Sequence, residues 1–182
     1  VCALSDIAWR DHPGYRASFA FDRTIEYPFF GIDHMERAFI ALTIYLLYGG
    51  KPSDKRVSHI GSLLSKRAIR RAETLGFGLR LAYRISGGNP GLLEQSRLEI
   101  KDDQLSLILP DGGAAPMYER VARSFERLCQ ARKIKMGPIT EAKEPATGKT
   151  VPASVLAIAS AGQKSDNNQT LLAGRFVSIR LI

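Results

Sequence analysis

Cysteine is almost missing from this chain: Cys2 and Cys129 are the two thiols in 182 residues. Thiols so far apart make no disulfide scaffold, and neither has a CxxC or histidine neighbour to suggest a metal. Both read as reduced thiols in a reducing compartment, which points to the cytoplasm. Histidine is scarce too. His12 precedes a proline, His34 stands at a helix start beside Asp33, and His59 lies in a basic stretch. No HxxxH or HxH spacing links them, so no metal site is expected. Long apolar runs are also lacking: the longest, Ala38 to Tyr48, has 11 residues, against about 20 for a membrane span. The chain does not open on a basic segment followed by an apolar stretch, so no secretory signal is expected. Nucleophile motifs such as GxSxG do not occur, and the paired acids Asp102-Asp103 read as turn chemistry. KEPATGKT at 143–150 ends like a phosphate-binding loop but has Lys143 where that motif needs glycine. No catalytic residue is assigned, and no internal repeat is visible.

What the chain does have is a core and a concentrated charge. Hydrophobic residues make up 45% of it, enough to pack an ordinary domain or two small ones. The net charge of +8 is uneven. Residues 51–84 hold nine basic and two acidic side chains, so most of the excess sits in one stretch. A localised positive field argues for binding where a diffuse one does not.

Periodicity organises the rest. Val1, Ala3, Leu4, Ile7 and Ala8 follow helical spacing. The first 11 residues are therefore expected to end a helix with Trp9 near its buried side, as though cut from a longer chain. His12-Pro13-Gly14 breaks that helix, and residues 15–27 predict a second one with Tyr15, Phe19 and Ile25 as its apolar candidates. Asp33 with Glu36 three residues on resembles a capping box opening a central, buried helix that Gly49-Gly50 closes. After a polar loop, residues 66–86 predict a long amphipathic helix. Ala68, Ile69, Ala72, Leu75, Gly76, Leu79, Ala82 and Tyr83 fall within about 140° of its circumference. Lys66, Arg70, Arg80 and Arg84 cluster within about 80° on the opposite side, with Phe77 as the one exposed aromatic among them and Glu73 the only acid. Gly87-Gly88-Asn89-Pro90 stops it. The period then becomes 2: Leu98, Ile100, Leu105, Leu107 and Leu109 alternate around Asp102-Asp103 as a β-hairpin. Residues 116–133 predict a helix with Val121, Phe125 and Leu128 inward, and residues 151–159 and 175–182 suggest strands.

The order of three segments resembles a known family. IAWRDHPGYRA (7–17), GIDHMERAFIAL (31–42) and RAETLGFGLRLAYRISGGNPGLL (71–93) are similar to the C-terminal region of the exopolyphosphatase and guanosine-pentaphosphate phosphatase family, over roughly residues 1–135. The resemblance implies a hydrolase parent whose actin-like N-terminal domains, absent here, cut phosphoanhydrides with acidic residues and Mg²⁺. It implies that this region has the helical fold of HD-type phosphohydrolases and contributes to the polyphosphate path and to homodimerisation. An HD metal centre would need histidine before an acid near Ser5-Asp6; Ser5 stands there, and Tyr15-Arg16-Ala17 stands where further ligands would be.

The expected architecture is mainly α: an HD-like helical domain truncated at its N-terminus (1–95), a small α+β unit with a β-hairpin (96–140), and an unassigned tail (141–182). The expected role is binding of polyphosphate or another phosphorylated polyanion by Lys66, Arg70, Arg80 and Arg84, with Arg67 and Arg71 at the flank and Glu73 able to orient Arg70 or Arg80. This chain alone is expected to be catalytically inactive, with no cofactor of its own and no membrane partner. The alternatives are an oligomerisation domain or a nucleic-acid-binding module with a merely solvated basic face.

Overall fold

A computed structural model describes residues 1–110 and 118–142; the suggested strands at 151–159 and 175–182 and the KEPATGKT run lie outside them. Five helices come first: α1 (Arg16–Glu26), α2 (His34–Leu47), α3 (Lys55–Gly61), α4 (Lys66–Ser86) and α5 (Pro90–Gln95). They lead into β1 (Arg97–Lys101), β2 (Gln104–Pro110), α6 (Tyr118–Arg132) and β3 (Lys135–Ala142). The chain is mainly helical with a small sheet at the end of the described residues, as the periodicities predict.

α2 is the central helix. The Asp33 carboxylate accepts from the Glu36 amide at 2.7 Å, and the Glu36 carboxylate accepts from the Asp33 amide at 3.0 Å, so the capping box is complete. Ala41, Leu42, Ile44 and Leu46 are at most 1% exposed, because α1 packs on one side of α2 and α4 on the other. The far end of α2 is fully accounted for. The amides of Tyr48, Gly49 and Gly50 donate to the carbonyls of Ile44, Leu46 and Tyr45, with Gly49 at φ 96°. The last carbonyl, Leu47, accepts from Arg80 on α4 at 3.1 Å. A helix leaves four C-terminal carbonyls orphaned; here every one has a donor, and one of the donors is a side chain from a neighbouring helix.

α4 begins and ends where its sequence predicts. The Ser65 hydroxyl accepts from the Ala68 amide at 3.1 Å, and Gly87 takes the left-handed closing position at φ 51°. It is packed on two flanks, against α2 and against α6. Its buried set is therefore wider than one arc and includes Phe77, Leu81 and Ile85. Phe77, expected on the exposed side, is 5% exposed.

The hairpin is antiparallel with Leu98 opposite Leu107. Asp102 and Asp103 both have positive φ, 49° and 59°, the backbone of a two-residue type I′ turn. β2 then passes through α6 to β3, which lies parallel to β2 at the sheet's edge in the order β1-β2-β3. Leu98, Leu105, Leu107 and Leu109 share one buried cluster with Val121, Phe125 and Leu128 of α6, and with Phe21, Leu42 and Leu81 of the helical part.

Several expectations are corrected. The opening residues form a short 3-10 turn, Cys2–Leu4, followed by further turns, and Trp9 is 59% exposed. α1 buries Ala20, Phe21 and Thr24, while Tyr15 and Phe19 are exposed and stack on each other at 6.0 Å. The buried side of α1 carries the small Ala20 and Thr24, whose hydroxyl donates to the Ala20 carbonyl, beside Phe21, which packs edge-on against Tyr45 of α2. The polar loop after residue 50 contains α3, and Pro90 starts a helix at the point where the sequence reads as a stop.

Candidate functional site

The basic residues of α4 fall into two groups. Lys66, Arg67 and Arg70 lie at its start and are exposed, while Arg71 beside them is half-buried. Arg80 and Arg84, both half-buried, lie near its end, about 15 Å further along at 1.5 Å per residue. Electrostatics distinguishes the groups. In the first group Lys66 and Arg67 stand in the first turn of a helix with no acid there, where the macrodipole disfavours positive charge by roughly 0.3–1 kcal/mol per residue. Among the described residues, Lys66, Arg67 and Arg70 join no ion pair. The pairs that do form are Arg23–Asp11, Arg56–Asp22 and Arg123–Glu119.

The second group is built into the fold. Arg80 closes the end of α2 through the Leu47 carbonyl, and its guanidinium occupies the space that a side chain at Gly49 would need. Burial, with the positive charges of Arg84 and Arg127, pushes Arg80 down to about 10. Burial also lowers Arg84, helped by Arg120 and Arg16. The fold thus brings Arg16, Arg120 and Arg127 towards the residues that the helix spacing had singled out. Sequence reasoning missed those three because they belong to other helices, and no periodic pattern relates them to α4.

Glu73 does not orient either neighbour. It is half-buried, and among the described residues it forms no ion pair with Arg70 or Arg80; burial raises its carboxyl, with only partial relief from the Arg70 charge.

Ser5-Asp6, where an HD-type metal centre would begin, is occupied by hydrogen bonds. Tyr83 donates to the Ser5 hydroxyl at 2.7 Å and lies 3.1 Å from the Asp6 carboxylate. Tyr48 donates to the Ser5 carbonyl at 2.5 Å and accepts from the Ala8 amide at 3.2 Å. The donor set does not fit a divalent metal: a serine replaces the imidazole, and no group of three or more His, Cys, Asp or Glu converges among the described residues. These contacts instead tie the opening segment to α2 and α4, with Arg23 bonding both Asp11 and the Ile7 carbonyl.

An apolar pocket between α4, the hairpin and α6 is lined by Gly78, Leu81, Ile100, Leu105 and Ile134, with Arg132 beside them. Thr74 and Arg132 are its polar lining residues, and the Thr74 hydroxyl already donates to the Arg70 carbonyl at 2.8 Å. Among the described residues no helix is long and apolar enough to cross a membrane.

A search of curated proteins finds no match. A family model described as the C-terminal region of exopolyphosphatase matches residues 1–137, a span that takes in α1 to α6 and both groups of α4 cations. On that match the chain belongs to the exopolyphosphatase C-terminal family.

Proposed function

We propose that this chain is the polyphosphate-binding accessory region of an exopolyphosphatase-type hydrolase. In this reading phosphoanhydride cleavage belongs to actin-like domains elsewhere in the parent protein, and the present residues hold the substrate chain. The observation that carries it is the exposed trio Lys66, Arg67 and Arg70 at the start of α4, which joins no ion pair among the described residues. Stability alone would place acids there. A dense polyanion offsets the cost, because it brings negative charge to the positive end of the helix and to the three cations together. Arg71 flanks this trio, and Arg80 and Arg84 extend the positive surface to about 27 Å from Lys66, the rise of 18 helical residues.

Replacing Lys66, Arg67 and Arg70 by Gln tests the reading. All three are exposed, so each change should cost no more than about 0.5 kcal/mol. Long-chain polyphosphate affinity should drop by at least about tenfold, with a shallower salt dependence. Parental binding by the folded triple variant would refute the assignment.

A second reading, homodimerisation, has its own support in exposed aromatic side chains, of which Tyr15 and Phe19 stack on each other. Trp9, Tyr15, Phe19 and Phe30 are 59, 62, 44 and 99% exposed, and such rings are enriched where proteins associate. Sedimentation of the chain with and without polyphosphate separates association from anion binding.

A further inference from the structure

Gly76 and Gly78 stand two residues apart in α4, and packing accounts for one of them. A Cβ at Gly76 would collide with α2, whereas one at Gly78 would meet nothing within 4 Å. Glycine inside a helix costs stability relative to alanine, and no neighbour requires it at position 78. Departures of this kind from the local rule gather at functional positions.

Gly78 belongs to the wall of the cleft between α4, the hairpin and α6, which encloses about 500 Å³ counted out to its open mouth. On α4 the lining residues Thr74, Gly78 and Ala82 recur every fourth position, so they form one row with the glycine at its middle. The remaining apolar walls are aliphatic: Leu81, Leu98, Ile100, Leu105, Leu128 and Ile134. They offer no ring against which a planar ligand would stack. Ile100 keeps 57% of its surface in solvent. Arg132 is the one cation of the lining; it is exposed and joins no ion pair among the described residues. Its place in the last turn of α6 suits the negative end of that helix, which explains the charge but not the apolar cleft beside it. Lys101 and Lys135 follow the lining residues Ile100 and Ile134 in sequence and flank Gln104 in the sheet. The acids of the turn, Asp102 and Asp103, are thus outnumbered by Lys101, Arg132, Lys133 and Lys135.

We propose that this cleft binds a free acyl carboxylate, a single hydrocarbon chain with an anionic head. The chain lies along the aliphatic walls against the Gly78 backbone, and its burial supplies the affinity. The carboxylate stays at the open mouth and meets the Arg132 guanidinium, whose fork matches two carboxylate oxygens. Sugars, nucleotides and polyphosphate carry polar groups along their length and would leave them unpaired against these walls. The site is therefore separate from the α4 trio and does not rest on the polyphosphate reading.

Decanoate below its micelle concentration is the probe and uncharged decanol its control, read by calorimetric titration and melting of the whole chain. Decanoate should bind saturably at one site and raise the melting temperature. It should bind about tenfold more tightly than decanol, the difference made by one charge-assisted contact. Arg132→Gln, an exposed change, should erase that preference and leave decanol binding as it was. Gly78→Leu should abolish binding of both by filling the cleft. If it fails to fold, Gly78→Ala, which the open space favours, should weaken both by at least about threefold. Replacing Lys66, Arg67 and Arg70 by Gln should change decanoate affinity by less than about twofold, as expected of distant sites. The proposal is overturned if decanoate does not bind saturably, if Arg132→Gln keeps the preference, or if the folded Gly78 variants bind as the parent does. Equal binding of decanoate and decanol by the parent would also overturn it, and would make the cleft a seat for an apolar side chain of another polypeptide.

Discussion

Gly76→Ala should destabilise this protein, although alanine is the better helix former. An added Cβ at Gly76 would lie 2.7 Å from Leu46 Cβ and 2.7 Å from the Thr43 carbonyl oxygen. Carbon atoms rest at about 3.5–4.0 Å. Neither obstacle can swing away, since one is a carbonyl oxygen of the α2 backbone and the other is attached directly to the Cα of Leu46. The helices would have to separate along the seam that carries Thr43, Leu46 and Leu47. Overpacking of this kind costs about 1–3 kcal/mol, against a helix-propensity gain of about 1 kcal/mol. The obstruction is rigid, so the net loss should be about 1–2 kcal/mol. Gly78, two residues on in the same helix, is the control: a Cβ there meets nothing within 4 Å. Gly78→Ala should therefore gain about 1 kcal/mol. The propensity gain cancels in the comparison, leaving a gap of about 2–3 kcal/mol that reports the α2–α4 contact alone. At about 2–4 °C per kcal/mol for a chain of this size, melting temperatures should differ by about 4–12 °C, and urea midpoints should shift with unchanged slopes. If Gly76→Ala were as stable as Gly78→Ala, the close crossing of α2 and α4 would be wrong.

Two further outcomes follow from burial. The Glu73 carboxyl is raised by burial, so its contribution to stability is present when protonated and lost as pH rises through the raised value. Glu73→Gln should therefore be at least as stable as the parent at pH 7, with the advantage shrinking in acid below the ordinary carboxylate range; a destabilised variant at pH 7 would instead reveal an ion pair. Burial also pushes the Cys129 thiol up to about 11, whereas Cys2 is exposed. An aromatic disulfide reagent at pH 8 should label one thiol quickly and the second only on unfolding, because reaction needs accessible thiolate; two fast thiols would contradict the packing of α6.

Elements that carry their own caps were legible in the sequence. Asp33 and Glu36 mark α2 before any packing is known, and Gly87 marks the end of α4. The hairpin was visible because alternating leucines flank two residues that tolerate positive φ. The missed elements are short. α3 offers only Val57 and Ile60 as buried residues, too few to show a period, although Asp54 caps it at 3.0 Å. α5 was hidden by Pro90, which reads as a stop after two glycines yet fills the first helical position behind an Asn89 cap. β3 contains Gly137 and Pro138, which weaken a strand pattern but are tolerated at a sheet edge. The arrangement of the α4 cations was half legible. Helical spacing places Lys66, Arg70, Arg80 and Arg84 on one face with Arg67 and Arg71 at its flank, whereas the environment of Arg84 depends on how α6 folds back against α4. The duty of Arg80 was equally invisible, since it answers a carbonyl 33 residues away.

Binding of polyphosphate to the unmodified chain tests the central claim most directly. Long-chain polyphosphate and a random-sequence single-stranded DNA, matched in total charge, would be titrated at two salt concentrations with circular dichroism confirming the fold. The account predicts tighter binding to polyphosphate than to DNA, with log affinity falling by about 0.7 per neutralised phosphate for each decade of salt, the single-strand value. Flexible chains of bare phosphates suit arginine and lysine side chains, whereas of the two α4 aromatics that could stack on bases Phe77 is buried and Tyr83 is held at its hydroxyl by Ser5. DNA bound as tightly as polyphosphate, or polyphosphate binding that ignores salt, would contradict the claim.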